Sequence, residues 1–313
     1  MKNVLLATTA LVAFAGAASA DVSFGGSARF GLQWNDGALP GEPSTTLEKR
    51  VTLNIDMSTE TDSGLELGAR IRLRNNESSI RTVGGGRVFV PSTTDVNGAV
   101  VYLKSGGLKL SVGNVCGAIE CLPGLYAGTV GLNGNGFSNL VTNTADRGYW
   151  GWVYYTSSGA GFNGVEVEYS AGDFSGMLTY AAMNDLTAAP NIVSAHVAYT
   201  FGDWTVALGV QDGDTVAALD KVVLTVGGKI GDFGVGLAYA DNDGVDKFTV
   251  NGSYSFGATT VSAYVSDDSS VAATDNPWGL GVSYDLGGAS LVAGYSNSEL
   301  GLKRASAGIK FKF

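Results

Sequence analysis

From residue 21 to the last residue the chain alternates apolar and polar side chains with a period of two, and no convincing helical stretch interrupts it. Such alternation sorts side chains onto two faces that meet different surroundings, which is the mark of a β-strand. In the first segment Val22, Phe24, Ala28, Phe30, Leu32 and Trp34 share one face, and Ser23, Ser27, Arg29 and Gln33 share the other. The second sets Val51, Leu53, Ile55 and Met57 against Arg50, Thr52, Asn54 and Asp56. The third sets Leu65, Leu67, Ala69, Ile71 and Leu73 against Glu66, Arg70, Arg72 and Arg74. A β-sandwich alternates in the same way, so the connections must decide between a sandwich and a closed barrel.

The connections fall into two sets. Short ones at 61–64, 105–107, 171–173, 201–203, 230–232, 256–258 and 286–288 each carry a glycine, the residue that takes positive φ without strain. Longer polar or acidic ones lie at 35–46, 75–95, 185–191, 212–220, 241–246, 267–276 and 297–301, and the longest spans 115–164. Tight turns at one end and long loops at the other are what a membrane barrel shows. Seven turns and eight loops separate sixteen strands, an even number that returns both ends of the chain to the same side. A further strand at 149–156 (YWGWVYYT) would put the ends on opposite sides, so that segment is assigned to the long loop or its returning arm. The expected fold is all-β: one domain, 21–313, forming a 16-stranded antiparallel transmembrane β-barrel.

The two ends of the chain agree with export to a membrane. Residues 1–20 hold Lys2, an apolar run and the small-x-small tripeptide Ala18-Ser19-Ala20, the pattern of a cleaved secretory (Sec) signal peptide. Beyond it no apolar run reaches the length of a transmembrane helix. At the other end Ile309, Phe311 and Phe313 lie on one face and Lys310 and Lys312 on the other. A terminal phenylalanine in this spacing resembles the signal read by the barrel assembly machinery of outer membranes. Phe201, Trp204, Phe233 and Phe256 sit beside tight turns, and Trp34, Tyr239, Tyr264, Trp278 and Tyr295 near the long loops, as two interfacial girdles would.

Charge and residue inventory exclude several functions. Without Lys2, 18 basic residues face 29 acidic ones, a net charge of −11 that offers no attraction to nucleic acid. His196 is the only histidine, which removes His-dependent triads and leaves no zinc set, since Cys116 and Cys121 lack companions. In an exported chain those two cysteines form a local disulfide or remain as free thiols. Glu166 and Glu168 are neighbours on one face of one strand and cannot grip a sugar from both sides, so they read as hydrated wall rather than as a glycosidase pair. No enzyme and no cofactor is expected. Clustered loop aspartates offer oxygen ligands to a structural Ca²⁺, but without EF-hand spacing.

Six stretches carry a family resemblance: STETDSGLE at 58–66, YSAGDFS at 169–175, AYTFG at 198–202, FGATTV at 256–261, GVSYDLGGAS at 281–290 and GIKFKF at 308–313. In this order, over nearly the whole chain after residue 20, they resemble the general-diffusion porins of Rhodobacter and related alphaproteobacteria. The resemblance implies a homotrimer in outer-membrane lipid and lipopolysaccharide. Each barrel would carry small hydrophilic solutes and ions through its own channel, narrowed by a long third loop folded into the pore, matched here by 115–164. In relatives that loop sets several carboxylates against an arginine-rich wall, whereas here it offers Glu120, Asp146 and little else.

Alternation turns Arg29, Arg50, Arg70, Arg72, Arg74 and Lys109 toward the lumen, so these six and the two loop carboxylates are the expected constriction. Acidic loop residues such as Asp212, Asp214, Asp241, Asp243, Asp267 and Asp268 predict a weak cation preference. Two other readings stay open. One is a substrate-selective porin with Trp150, Trp152, Tyr154 and Tyr155 as a sugar-stacking surface, and the other is a plugged structural or adhesin barrel.

Overall fold

The computed structural model describes residues 20–37, 43–76, 79–83, 86–90, 94–149, 163–182, 191–213 and 219–313. The signal-peptide reading, the aromatic run at 150–155 and Asp214 lie outside the described residues. The strands are β1 (Asp21–Asn35), β2 (Thr45–Glu60), β3 (Glu66–Asn76), β4 (Ser79–Val83), β5 (Gly86–Val90), β6 (Thr94–Val96), β7 (Val100–Ser105), β8 (Leu108–Gly113), β9 (Asn163–Ala171) and β10 (Phe174–Ala182). They continue with β11 (Ile192–Phe201), β12 (Trp204–Gly213), β13 (Lys221–Ile230), β14 (Phe233–Asn242), β15 (Asp246–Phe256), β16 (Thr259–Asp268), β17 (Trp278–Asp285), β18 (Ala289–Asn297) and β19 (Lys303–Lys312).

Every described barrel pairing is antiparallel, and the sheet closes on itself. β1 pairs with β2 on one side and with β19 on the other, from Ser27 opposite Lys312 to Asn35 opposite Arg304. Both β6 and β7 pair with the same edge of β3, Leu73 opposite Val96 and Glu66 opposite Lys104. They are two pieces of one interrupted stave, so the barrel has sixteen staves, as expected. β4 and β5 form a separate hairpin within the second long connection.

All seven tight turns fall where glycine placed them. Five are two-residue turns whose first central residue is a glycine at positive φ: Gly106 (55°), Gly172 (57°), Gly202 (56°), Gly231 (60°) and Gly257 (56°). That is the type II′ geometry, whose twist matches the flanking strands. Nothing crowds the missing side chain at these sites, so backbone conformation alone selects glycine.

The alternation resolves into apolar outside and polar inside. On β11, Val193 and Val197 are 44% and 48% exposed while Ser194 and His196 between them are buried. Phe201, Phe233 and Phe256 are likewise exposed beside the tight turns. An apolar exterior around a closed sheet suits a lipid environment, where no backbone edge is left unpaired. Among the rings near the outer loops, Trp34 stacks on Tyr295 at 6.5 Å and Trp278 lies 5.5 Å from Tyr295. Tyr264 departs from the expected girdle: it is 3% exposed and on the inner face, because it shares the parity of Ser262 and Ser266 rather than that of Val261 and Val265.

The segment after β8 runs along the inner wall. Its peptide groups bond to inward side chains of several staves: Thr225 to the Pro123 carbonyl (2.6 Å), Thr249 to that of Asn139 (3.0 Å), Ser296 to that of Asn135 (3.0 Å), and the Leu132 N–H to Ser306 (2.8 Å). Alongside these anchors Ile119, Leu122, Leu125, Leu140 and Val141 pack on Ala198, Ala207, Val223, Ala238 and Ala240. Side chains of this size contribute about 1.5–3 kcal/mol each on full burial. The inner face of β11 to β14 is thus small and apolar where it receives the loop, and one side of the lumen is filled.

Candidate functional site

The open side of the lumen is bounded by β2, β3 and β7 to β9, where the charged residues stand. The register of β2 with β3 places Arg70 opposite Asp56, Arg72 opposite Asn54, and Arg74 opposite Thr52. Each arginine hydrogen-bonds through Nε to its facing residue, at 2.5, 3.2 and 3.2 Å respectively. Arg50 makes the same kind of bond to Asn76 at 2.7 Å. Residues two apart along a strand stand roughly 7 Å apart, so the three β3 guanidiniums form a ladder along the barrel wall, each oriented by its tether.

Further along the same wall, beyond β7, Lys109 on β8 pairs with Glu168 on β9 at 2.7 Å, and Glu166 sits one step further along the same face. Tyr102 on β7 donates to Glu66 at 2.9 Å, and Lys109 lies 5.4 Å from the centre of its ring. These groups and the loop residue Glu120 enclose a cavity of about 940 Å³. Its charged lining is balanced, with Arg70, Arg72, Arg74, Lys104 and Lys109 against Asp56, Glu66, Glu120, Glu166 and Glu168.

Glu120 is brought there by a short ring. Cys116 and Cys121 are bonded to each other. Within the ring the Ala118 N–H lies 3.1 Å from both Thr179 Oγ1 and Ser194 Oγ, and His196 Nδ1 lies 2.6 Å from the Ala118 carbonyl. Burial pushes the Glu120 carboxyl up to about 7, against the opposing pull of Arg72 and a hydrogen bond with Tyr126. Its charge therefore changes near neutral pH.

Of the eight residues expected at the constriction, the structure brings Arg70, Arg72, Arg74, Lys109 and Glu120 around one cavity. Arg50 stands on the same wall, outside that lining. Arg29 is also inward but is locked to buried Glu48 at 2.5 Å, with Asn133 of the loop bonded to the same carboxylate. Asp146 stands elsewhere: its carboxylate accepts the N–H groups of Val271 and Ala272 at 2.7 and 2.9 Å, in the connection between β16 and β17. Two backbone donors at the outer mouth hold it more firmly than a water-filled gap facing arginines would.

Alternation already sets Asp56 and Glu66 on the face of the arginines as local partners for them, and Arg70 does pair with Asp56; Lys104 and Tyr102 are additions of the structure, although strand parity turns them inward. Lys247 carries no signal in the local sequence. It is fully buried, donates to the Asn143 carbonyl at 2.5 Å, and lies 3.9 Å from both Asp268 and Glu299. Tyr149 reaches the same Glu299, so the far part of the loop is pinned to the outer end of the wall. No group of three or more His, Cys, Asp or Glu side chains is placed to hold a metal ion among the described residues.

A closed antiparallel barrel with an apolar exterior and an inward-folded loop beside a charged, water-accessible cavity defines a β-barrel channel of an outer membrane. Comparison with known proteins narrows the class. A family model described as Gram-negative porin matches residues 7–305, and the chain belongs to that family. It is 30% identical to a porin of Fuscovulum blasticum over 311 residues, covering 94% of this chain and all of that one. It is 29% identical to a porin of Rhodobacter capsulatus, again over 94% of this chain and the whole relative. Among solved structures, a mutant of Rh. blastica porin superposes with a TM-score of 0.80 at 25% identity, over 94% of this chain and 100% of that one. The protein is therefore an outer-membrane porin that provides an aqueous path for small hydrophilic solutes.

Proposed function

We propose that passive flux through this porin is sieved where Glu120 faces the Arg70, Arg72 and Arg74 ladder, and that the pore is weakly cation-preferring. The observation that carries the proposal is one cavity whose wall bears the tethered guanidiniums together with the carboxylates of neighbouring staves, and into which the loop brings Glu120. Opposite charges across a narrow wet gap orient dipolar solutes and slow apolar ones, while small polar molecules keep enough hydration to pass. No bond is made or broken.

With the charged lining balanced, the cation preference comes from the mouth and the whole-chain excess of acid: Asp212, Asp241 and Asp267 stand at the outer ends of their strands, while Asp243 and Asp268 are paired with Arg147 and Lys247. We also assign the working form as a homotrimer, supported by the resemblance to trimeric relatives, with lipopolysaccharide and the barrel assembly machinery as its other partners. Swelling of proteoliposomes in sugars of graded size tests the sieve. A smooth fall in rate with solute size supports it, whereas uptake of one favoured sugar points to a selective channel and no uptake to a plugged barrel.

A further inference from the structure

We propose that the Cys116–Cys121 disulfide is a thiol-responsive staple that holds Glu120 at the arginine wall and so makes the ion preference of the pore depend on redox state. The inference rests on the constriction proposed above.

Four observations meet at this ring. Both cysteines belong to the lining of the lumen cavity, with Cys121 exposed and Cys116 half-buried, so a small thiol entering the pore reaches the bond. The ring encloses Ala118, whose peptide group contacts Thr179, Ser194 and His196 on β10 and β11. Ile119 and Leu122 on either side of Glu120 and Cys121 are buried in the apolar cluster. Glu120 itself points the other way, into the cavity, within electrostatic reach of Arg72.

Wall contacts therefore hold one side of the ring, while the disulfide ties the lumen side to the arm that leaves β8. Cutting the bond leaves the Ala118 anchor and the buried Ile119 and Leu122 in place and removes the tie between Cys121 and the arm that leaves β8, so the lumen side of the turn, with the Glu120 side chain, can shift relative to the ladder. The chemistry is ordinary exchange with a dithiol. Its two thiols close to a cyclic disulfide, the S–S bond of the protein accepts two electrons, and the two protons end on Cys116 and Cys121 as S–H groups.

The test uses the intact porin in planar bilayers under a KCl gradient at low salt, before and after dithiothreitol, with maleimide labelling to count released thiols. Reduction is expected to release two thiols and lower the cation-to-anion permeability ratio by up to about threefold, the effect of one carboxylate across a gap of this size. Replacing both cysteines (C116S with C121S) should give the reduced ratio at once and abolish the response. If those substitutions block assembly, reduction of the folded protein still decides. Release of two thiols with no change in permeability overturns the staple, and so does a disulfide that no dithiol can reach. E120Q in the oxidised protein separates this from failure of the constriction itself. If E120Q changes the ratio and reduction does not, only the staple fails; if neither does, the constriction has been misplaced.

Discussion

Raising the pH through neutrality should make the pore more cation-preferring, with a midpoint near 7, because burial holds the Glu120 carboxyl at about that value. The size of the step follows from the geometry. A cavity of about 940 Å³ corresponds to a sphere of roughly 6 Å radius, and a unit charge at that distance in water is worth ~0.7 kcal/mol to a passing ion. In ~0.1 M salt, with a Debye length of ~10 Å, about 0.4 kcal/mol remains. A cation gains it and an anion loses it, so the permeability ratio should change roughly three- to fourfold. In ~1 M salt the Debye length of ~3 Å should all but erase the step. Reversal potentials measured across a KCl gradient, over about 1.5 pH units on either side of the midpoint, read this directly. E120Q should be flat and fixed at the low-pH value. A wild-type profile without a step at low salt, or a step that survives in E120Q, would refute the reasoning. The same shift has a stability consequence of definite sign. The folded chain holds this proton more firmly than the unfolded chain, so the contribution of Glu120 is most favourable at low pH and is lost as pH rises from about 4.5 to about 7.

Other substitutions probe other parts of the account. Removing the middle guanidinium with Arg72→Ala should increase cation preference by a comparable factor in the same bilayer assay, and a shift toward anions would contradict the proposed wall. Lys247→Met leaves Asp268 and Glu299 buried without their shared cation, a loss of about 3–5 kcal/mol that should loosen the far part of the loop and appear as noisier or larger single-channel current. Current identical to wild type would show that this cluster does not anchor the loop. Gly202→Val forces a β-branched residue into positive φ at a turn with no spare conformations, and should reduce the yield of heat-modifiable barrel on denaturing gels without altering the selectivity of what does assemble.

The barrel could be read because its rules are local. Parity assigns a face to each strand residue, and a glycine in each short connection marks the turn, so the seven turns and sixteen staves are legible in the residues themselves. Position near a loop suggests a girdle place for Tyr264, but its parity with Ser262 and Ser266 turns it inward. The loop is a different problem. Its length and the cysteine pair were visible, but Ile119, Leu122, Leu125, Leu140 and Val141 follow no period, and their partners are alanines and a valine scattered over four strands. Only the closed sheet brings those residues together. The resemblance implies a place for Asp146 opposite the arginines; its backbone donors more than a hundred residues away, at Val271 and Ala272, leave no trace in local sequence. The arginine ladder was legible in part. Parity gave its direction, while the tether of each guanidinium to β2 required the register.

The most direct measurement is nitroxide accessibility along β3, using single labels at Leu67, Ala69, Ile71 and Leu73 and at Arg70, Arg72 and Arg74 in the membrane-embedded protein. Collision with oxygen dissolved in lipid should dominate at the first four positions and collision with a water-soluble nickel complex at the last three, giving a two-residue period. Nickel access to the leucines with the arginine positions shielded would mean that the wall faces the other way, and the channel derived from it could not exist.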